Sequence, residues 1–187
     1  MGESLGRSDW LRAARLALLR GGVDEVRVEC LARDLAVTKG SFYWHFTDRQ
    51  ELLEILIREW EEELQHDIIP RLSGLRGRAA LKRLVRLMVD RVPLSESGQL
   101  PSDAAMFTWA SVSSDVARRV NRAERKRIAL LTALVGDAER VELIYLVWLG
   151  FVARGQRLPS SRRRFPRIAR MILQLMNPKT IWADAPQ

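Results

Sequence analysis

Val37-Thr38-Lys39-Gly40-Ser41-Phe42-Tyr43-Trp44-His45-Phe46 is the stretch on which the chain turns. Read as a helix, it puts Phe42 and Phe46 one turn apart on one face, which can anchor it to a core. Thr38, Lys39, Ser41, Tyr43, Trp44 and His45 are left on or near the other face. These are donors, a cation and flat rings, which suit phosphate oxygens and base edges. Two or three turns cannot stand alone, so neighbouring elements must hold the segment. Its residues point to a recognition helix that enters DNA.

The segments on either side supply that support. Ser8 is the expected N-cap of a first helix carrying Trp10, Leu11, Ala14, Ala17 and Leu18 at helical spacing, stopped by Gly21-Gly22. A second, short helix over about 28–35 turns Leu31, Ala32 and Leu35 inward. Ala36-Val37 make a tight turn, and Thr38 caps a third helix over about 39–46. Two short helices joined by so brief a turn are the helix-turn-helix pattern.

A fourth helix is expected from Thr47-Asp48 to Pro70, with Leu52, Leu53, Leu56, Trp60, Leu64 and Ile68 as its stripe. A fifth covers about 78–92, Pro93 to Pro101 reads as a loop, and Ser102 caps a sixth. The seventh runs from Ser114 to about Val135, and the eighth over about 138–154. The ninth runs from Pro166 to near Met176, and the last residues read as a tail.

Composition sets outer limits. The chain has 187 residues, 47% of them hydrophobic and 29% charged, enough to bury a core and too apolar for disorder. Alternating strand patterns are missing, so the class is all-α with about nine helices. The lone Cys30 excludes an internal disulfide, fits a reducing cytoplasm, and reads as a packing residue. The longest apolar run, Leu143 to Ala153, holds 11 residues, against about 20 for a membrane helix. No targeting signal is seen, and no P-loop, dinucleotide turn, HExxH motif or nucleophile elbow. His66 has no metal-ligand partner at suitable spacing. The chain is therefore read as a non-enzyme with neither cofactor nor metal, outside the membrane.

The net charge of +8 is unevenly placed. Residues 1–47 hold 7 basic and 6 acidic residues, residues 48–70 hold 2 and 8, and residues 71–187 hold 22 and 9. The positive excess thus lies outside the DNA reader. Arg118, Arg119, Arg122, Arg125, Lys126 and Arg127 read as a solvated helix face or a second nucleic-acid patch.

From Leu31-Ala32-Arg33-Asp34-Leu35-Ala36 through the aromatic stretch to Thr47-Asp48-Arg49-Gln50-Glu51-Leu52-Leu53, the chain resembles the tetracycline-repressor (TetR) family. The likeness spans about residues 8–60; beyond that only helix number and order agree. It implies a three-helix DNA-binding domain at 1–47, with its helix-turn-helix at about 28–46 and residues 48–60 in support. Residues 48–187 would form a larger helical domain for effector binding and dimerisation. It turns Lys39, Gly40, Ser41 and Trp44 towards the major groove, and Thr38, Tyr43, His45 and Arg49 towards phosphates. Gly40 would let the helix N-terminus approach DNA closely. Ala36 stands where the family often has Gly, so the turn is expected to lack the left-handed geometry that Gly allows. Arg27 replaces a common hydroxyl N-cap, and Glu29 stands where a basic residue would have helped.

The reading is a cytoplasmic, ligand-released homodimeric repressor on a palindromic operator, its recognition helices about 34–36 Å apart. The alternative is an effector-binding or protein-interaction module with a relic helix-turn-helix. Leu143, Leu146, Val147, Gly150 and Phe151, with Ile168, Ile172 and Leu175, are the expected dimer face. Met88, Met106, Phe107, Trp109 and Tyr145 are the candidates for binding a small apolar effector, with plain core packing as the competing reading.

Overall fold

Gly6, and not Ser8, is the N-cap of the first helix. In the computed structural model, which describes residues 5–91 and 102–175, α1 spans Arg7–Gly21. Asp9 Oδ2 accepts the Gly6 N–H at 3.0 Å, which sets a carboxylate in the first turn, where the helix dipole favours it. Gly22, at φ +79°, ends α1. A 3-10 turn (Val23–Glu25) leads to α2 (Val28–Asp34), α3 (Lys39–Phe42) and α4 (Arg49–Glu63).

The expected fourth helix does not run unbroken to Pro70. It widens into a π turn at Leu64–Ile68 and then makes one further α turn, α5 (Ile69–Arg71). Pro70 supplies the reason: it has no N–H, and its ring crowds the carbonyl four residues back, that of His66. The chain continues through α6 (Gly77–Asp90), α7 (Ser102–Ala110), α8 (Ser114–Val135), α9 (Ala138–Arg157) and α10 (Phe165–Leu175). The described residues contain no strand, so the fold is all-α, with the nine expected helices and the single turn α5. No helix among the described residues is long and apolar enough to cross a membrane. The expected loop at Pro93 to Pro101 and the tail from Met176 lie outside the described residues.

The chain divides into two compact units, Met1–Glu63 with Ser102–Asn121, and Leu64–Pro101 with Arg122–Gln187. This division is one of packing, and it adds α4, α7 and the start of α8 to the helices of the expected reader. In the first unit Trp10, Leu18, Leu31, Phe42, Leu52 and Leu53 form the buried centre. The buried Asp103 of α7 accepts the Trp60 Nε1–H at 2.7 Å, and Arg119 of α8 bonds Glu61 and Glu54 of α4. The Glu61 carboxylate beside Arg119 raises that guanidinium's pKa.

In the second unit Leu72, Leu81, Leu84, Leu131 and Ile144 build the core. An aromatic cluster closes one part of it, with the Phe151 and Phe165 ring centroids 3.9 Å apart and Trp148 5.9 Å from Phe165.

Candidate nucleic-acid interface and apolar faces

The segment 39–46 is helical for only its first four residues, and 43–45 form a turn. The winding survives in a looser form: the Phe46 N–H still donates to the Phe42 carbonyl at 3.0 Å. Phe42 and Phe46 therefore stay one turn apart, with stacked rings 5.1 Å from each other. Phe42 also meets the edge of Trp10 at 5.2 Å. Both phenylalanines are buried, so the anchoring face is as expected.

The other side chains of the segment are open to solvent. Trp44 is 86% exposed and Tyr43 52%; Thr38, Lys39 and Gly40 are exposed, while Ser41 and His45 are half-buried. An indole exposed to this degree contributes no packing to its own chain. Thr38 holds the N-cap position but makes no side-chain capping bond, which leaves its hydroxyl for another acceptor or donor. A Cβ added at Gly40 would come no nearer than 3.8 Å to Thr38 Oγ1, so the fold itself does not require glycine there.

Arg49 is placed differently from these residues. Its Nε donates to the Val26 carbonyl at 2.5 Å and an Nη to that of Val23 at 2.6 Å. It ties the start of α4 to the 3-10 turn and so fixes the position of the reader from behind. The start of α4 is also capped: Asp48 Oδ1 accepts the Glu51 N–H at 2.8 Å, and Glu51 accepts the Thr47 N–H at 2.6 Å. Those bonds from Thr47 hold the Glu51 carboxyl below its ordinary pKa.

The turn before α3 corrects one expectation. Ala36 does take the left-handed conformation, at φ +56°. Val37 N–H reaches back to the Ala32 carbonyl at 2.9 Å and Ala36 N–H to that of Arg33 at 3.1 Å. These are the two bonds of a Schellman ending, here closed by alanine in place of glycine. Burial of Leu31 and Phe42 on either side compensates for the cost of the strained residue.

Glu29 reads from the sequence as an unfavourable charge, but its partner is visible only in the fold. Its carboxylate pairs directly with the Lys39 ammonium. This hydrogen bond lowers the Glu29 pKa and raises that of Lys39. The reader's own cation is thus held by a neighbouring helix.

The dimer-face candidates separate. Leu143, Leu146 and Gly150 are exposed on α9, as are Ile168 and Leu175 on α10. Met171, half exposed between the last two, belongs to the same stripe and is missed by sequence reasoning. Val147 and Ile172 are half-buried and wall a small void, whereas Phe151 is buried in the aromatic cluster. Because the second half of α9 is apolar all round, its sequence does not reveal which face turns inward.

Of the effector candidates, Met106, Phe107 and Trp109 belong to the first unit, and Met88 and Tyr145 to the second. Met106 and Trp109 are buried, and Phe107 meets the edge of Trp60 at 6.2 Å. The Tyr145 hydroxyl donates to Glu124 at 2.9 Å. On α8, Arg118 pairs with Asp115, Arg119 with Glu54 and Glu61, and Lys126 donates to Gln65.

Residues 11–56 match the profile of the bacterial regulatory proteins of the tetR family. The chain is 31% identical over 87 residues to the HTH-type transcriptional regulator SrpR of Pseudomonas putida, a match covering 46% of this chain and 39% of that protein. It is also 31% identical over 87 residues to TtgW, an uncharacterized HTH-type transcriptional regulator from a strain of Pseudomonas putida, covering 46% and 63%. The match therefore spans less than two thirds of either relative. Among solved structures, the fatty acid degradation regulator FadR of Bacillus halodurans superposes with a TM-score of 0.68 at 13% identity, over 95% of this chain and 99% of that one. A transcriptional regulator of Rhodococcus sp. Rha1 gives 0.58 at 19% identity, over 91% and 97%. These two likenesses concern the fold alone. The helix-turn-helix and its aromatic segment thus lie within residues 11–56, which are similar to the bacterial regulatory proteins of the tetR family.

Proposed function

We propose that the chain is a DNA-binding regulator, a cytoplasmic homodimeric repressor that holds a palindromic operator and lets it go when a small effector binds. The DNA-binding domain is residues 1–47, supported by 48–60, and residues 48–187 serve effector binding and dimerisation. The observation that carries the reading is the 86% exposure of Trp44, beside exposed Tyr43 and Lys39, on a segment whose two phenylalanines are buried. Lys39, Gly40, Ser41 and Trp44 face the major groove, and Thr38, Tyr43 and His45 take phosphates. Arg49 takes a phosphate as well, and its bonds to the Val26 and Val23 carbonyls hold it at the start of α4.

Dimerisation rests on α9 and α10. Leu143, Leu146 and Gly150 on α9, and Ile168, Met171 and Leu175 on α10, leave two apolar stripes uncovered. Two such helices from each copy make a four-helix interface. The effector acts by binding better to the arrangement that misplaces the two readers.

The test is a titration of full-length protein against DNA from its own upstream region. Sequence-selective, salt-sensitive binding, lost in Lys39→Ala and Tyr43→Ala with the fold intact, is expected. Equal, weak binding to any DNA would sink the reading. Leu146→Glu is expected to sediment as a monomer.

A further inference from the structure

Several arginines of the first unit have a carboxylate beside them: Arg7 has Glu51, Arg15 has Glu59, Arg20 has Asp34, and Arg119 has Glu61. One group in the second unit departs from this pattern. Lys82, Arg83 and Arg86 of α6 and Arg170 of α10 line a single open groove of about 520 Å³, and none of the four is ion-paired among the described residues. The groove holds one acidic side chain, Asp90. Its floor is apolar, built from Val85 and Val89 of α6 and Ala169 and Leu173 of α10. Val85 and Ala169 also wall a small apolar void of about 10 Å³, too small to take a ligand.

A fixed cluster of unmatched cations is unfavourable for the chain by itself, because like charges repel and no burial offsets them. An apolar floor alone would accept any greasy molecule, and a cationic rim alone any anion. Combined in one groove of ligand size, they select a molecule with an apolar chain and an anionic head. The chain of such a molecule would lie on Val89 and Leu173, and its head would be within reach of the guanidinium groups of Arg83 and Arg86.

We propose that the α6–α10 groove is a binding site for a monomeric amphipathic anion, a single acyl chain with a carboxylate or phosphate head. Binding in the groove uses one face of α10, while the stripe of Ile168, Met171 and Leu175 occupies another. If the dimer reading above is right, on which this last step rests, filling the groove alters the face that pairs the two copies and so releases DNA.

Calorimetry on the full-length, DNA-free protein tests the site, with dodecanoate below its micelle concentration as the probe. One dodecanoate per chain is expected to bind at least tenfold more tightly than dodecanol or acetate. Lys82→Gln combined with Arg86→Gln is expected to weaken binding at least tenfold, and both positions are exposed, so the fold is kept. Val89→Trp, which fills the floor and leaves every charge in place, is expected to do the same, while Arg58→Gln on α4 changes nothing. Dodecanol binding as well as dodecanoate, acetate binding alone, or unchanged affinity in the double variant would overturn the site. So would capture by anionic phospholipid vesicles without binding of the monomer, which would make the patch a membrane contact. A parallel DNA-release titration reads the regulator separately: tight dodecanoate binding that leaves DNA bound supports the site and counts against its role as the effector site.

Discussion

Ala36 and Glu29 show how single residues set the reader. At φ +56°, Ala36 sits where an L side chain costs roughly 1–2 kcal/mol. Glycine removes that cost but loses some of the gain to its more flexible unfolded chain. Ala36→Gly is therefore expected to stabilise the protein by about 1 kcal/mol, measured as a higher urea midpoint with an unchanged slope. Glu29 acts on affinity. Its bond to Lys39 must break before that ammonium meets DNA, so Glu29→Gln is expected to bind DNA several-fold more tightly at neutral pH and to discriminate less between sequences. The sign with pH follows from the lowered Glu29 pKa: the pair is intact above the carboxylate range and fades as pH falls through that lowered value. Wild type and variant then converge in acid, as a fluorescence-anisotropy series across pH would show. The anchors Phe42 and Phe46 and the exposed Tyr43 and Trp44 are legible in the sequence, because helical spacing alone separates the two faces. The roles of Arg49 and Glu29 are not, since both depend on carbonyls or cations brought close by the turn between distant positions.

At the scale of the element, α9 carries the clearest unanswered feature. Gly150 lies within that helix, is exposed, and has nothing within 4 Å of a would-be Cβ. An interior glycine costs a helix about 0.5–1 kcal/mol relative to alanine, and packing within the chain gives no reason to keep it. The proposed close approach of a helix from a second copy supplies one. Gly150→Ala is expected to raise the dimer dissociation constant by sedimentation equilibrium while leaving thermal stability unchanged or higher; a tighter dimer would argue against the contact. Helix order and most boundaries are readable from apolar spacing and from Gly and Pro. The π turn at Leu64–Ile68 is not, because its cause, Pro70, looks from sequence like a terminator. Nor is the burial of Phe151, because the part of α9 around it is apolar on every side and only the neighbouring Phe165 shows which side is inner.

For the whole molecule, the positive charge and the DNA reader lie in different parts of the chain. Residues 71–187 carry 22 basic against 9 acidic residues, while residues 1–47 carry 7 against 6. On the proposed reading, phosphate neutralisation therefore rests on a few placed groups in each copy. The slope of log affinity against log salt is expected to be about −3 to −6, and Lys39→Ala is expected to reduce it by about two for a dimer. A slope near −10 would mean that the basic surfaces elsewhere touch DNA as well. The same reader offers a way to watch this directly. Of the described tryptophans, Trp10, Trp60, Trp109 and Trp148 are buried and Trp44 stands in water. An aqueous quencher such as iodide will strike the Trp44 indole in preference to those four, and a duplex bound there will shield it. With Trp182, which lies outside the described residues, replaced by Phe, the unlabelled protein thus carries an optical gauge of the proposed operator binding at Trp44.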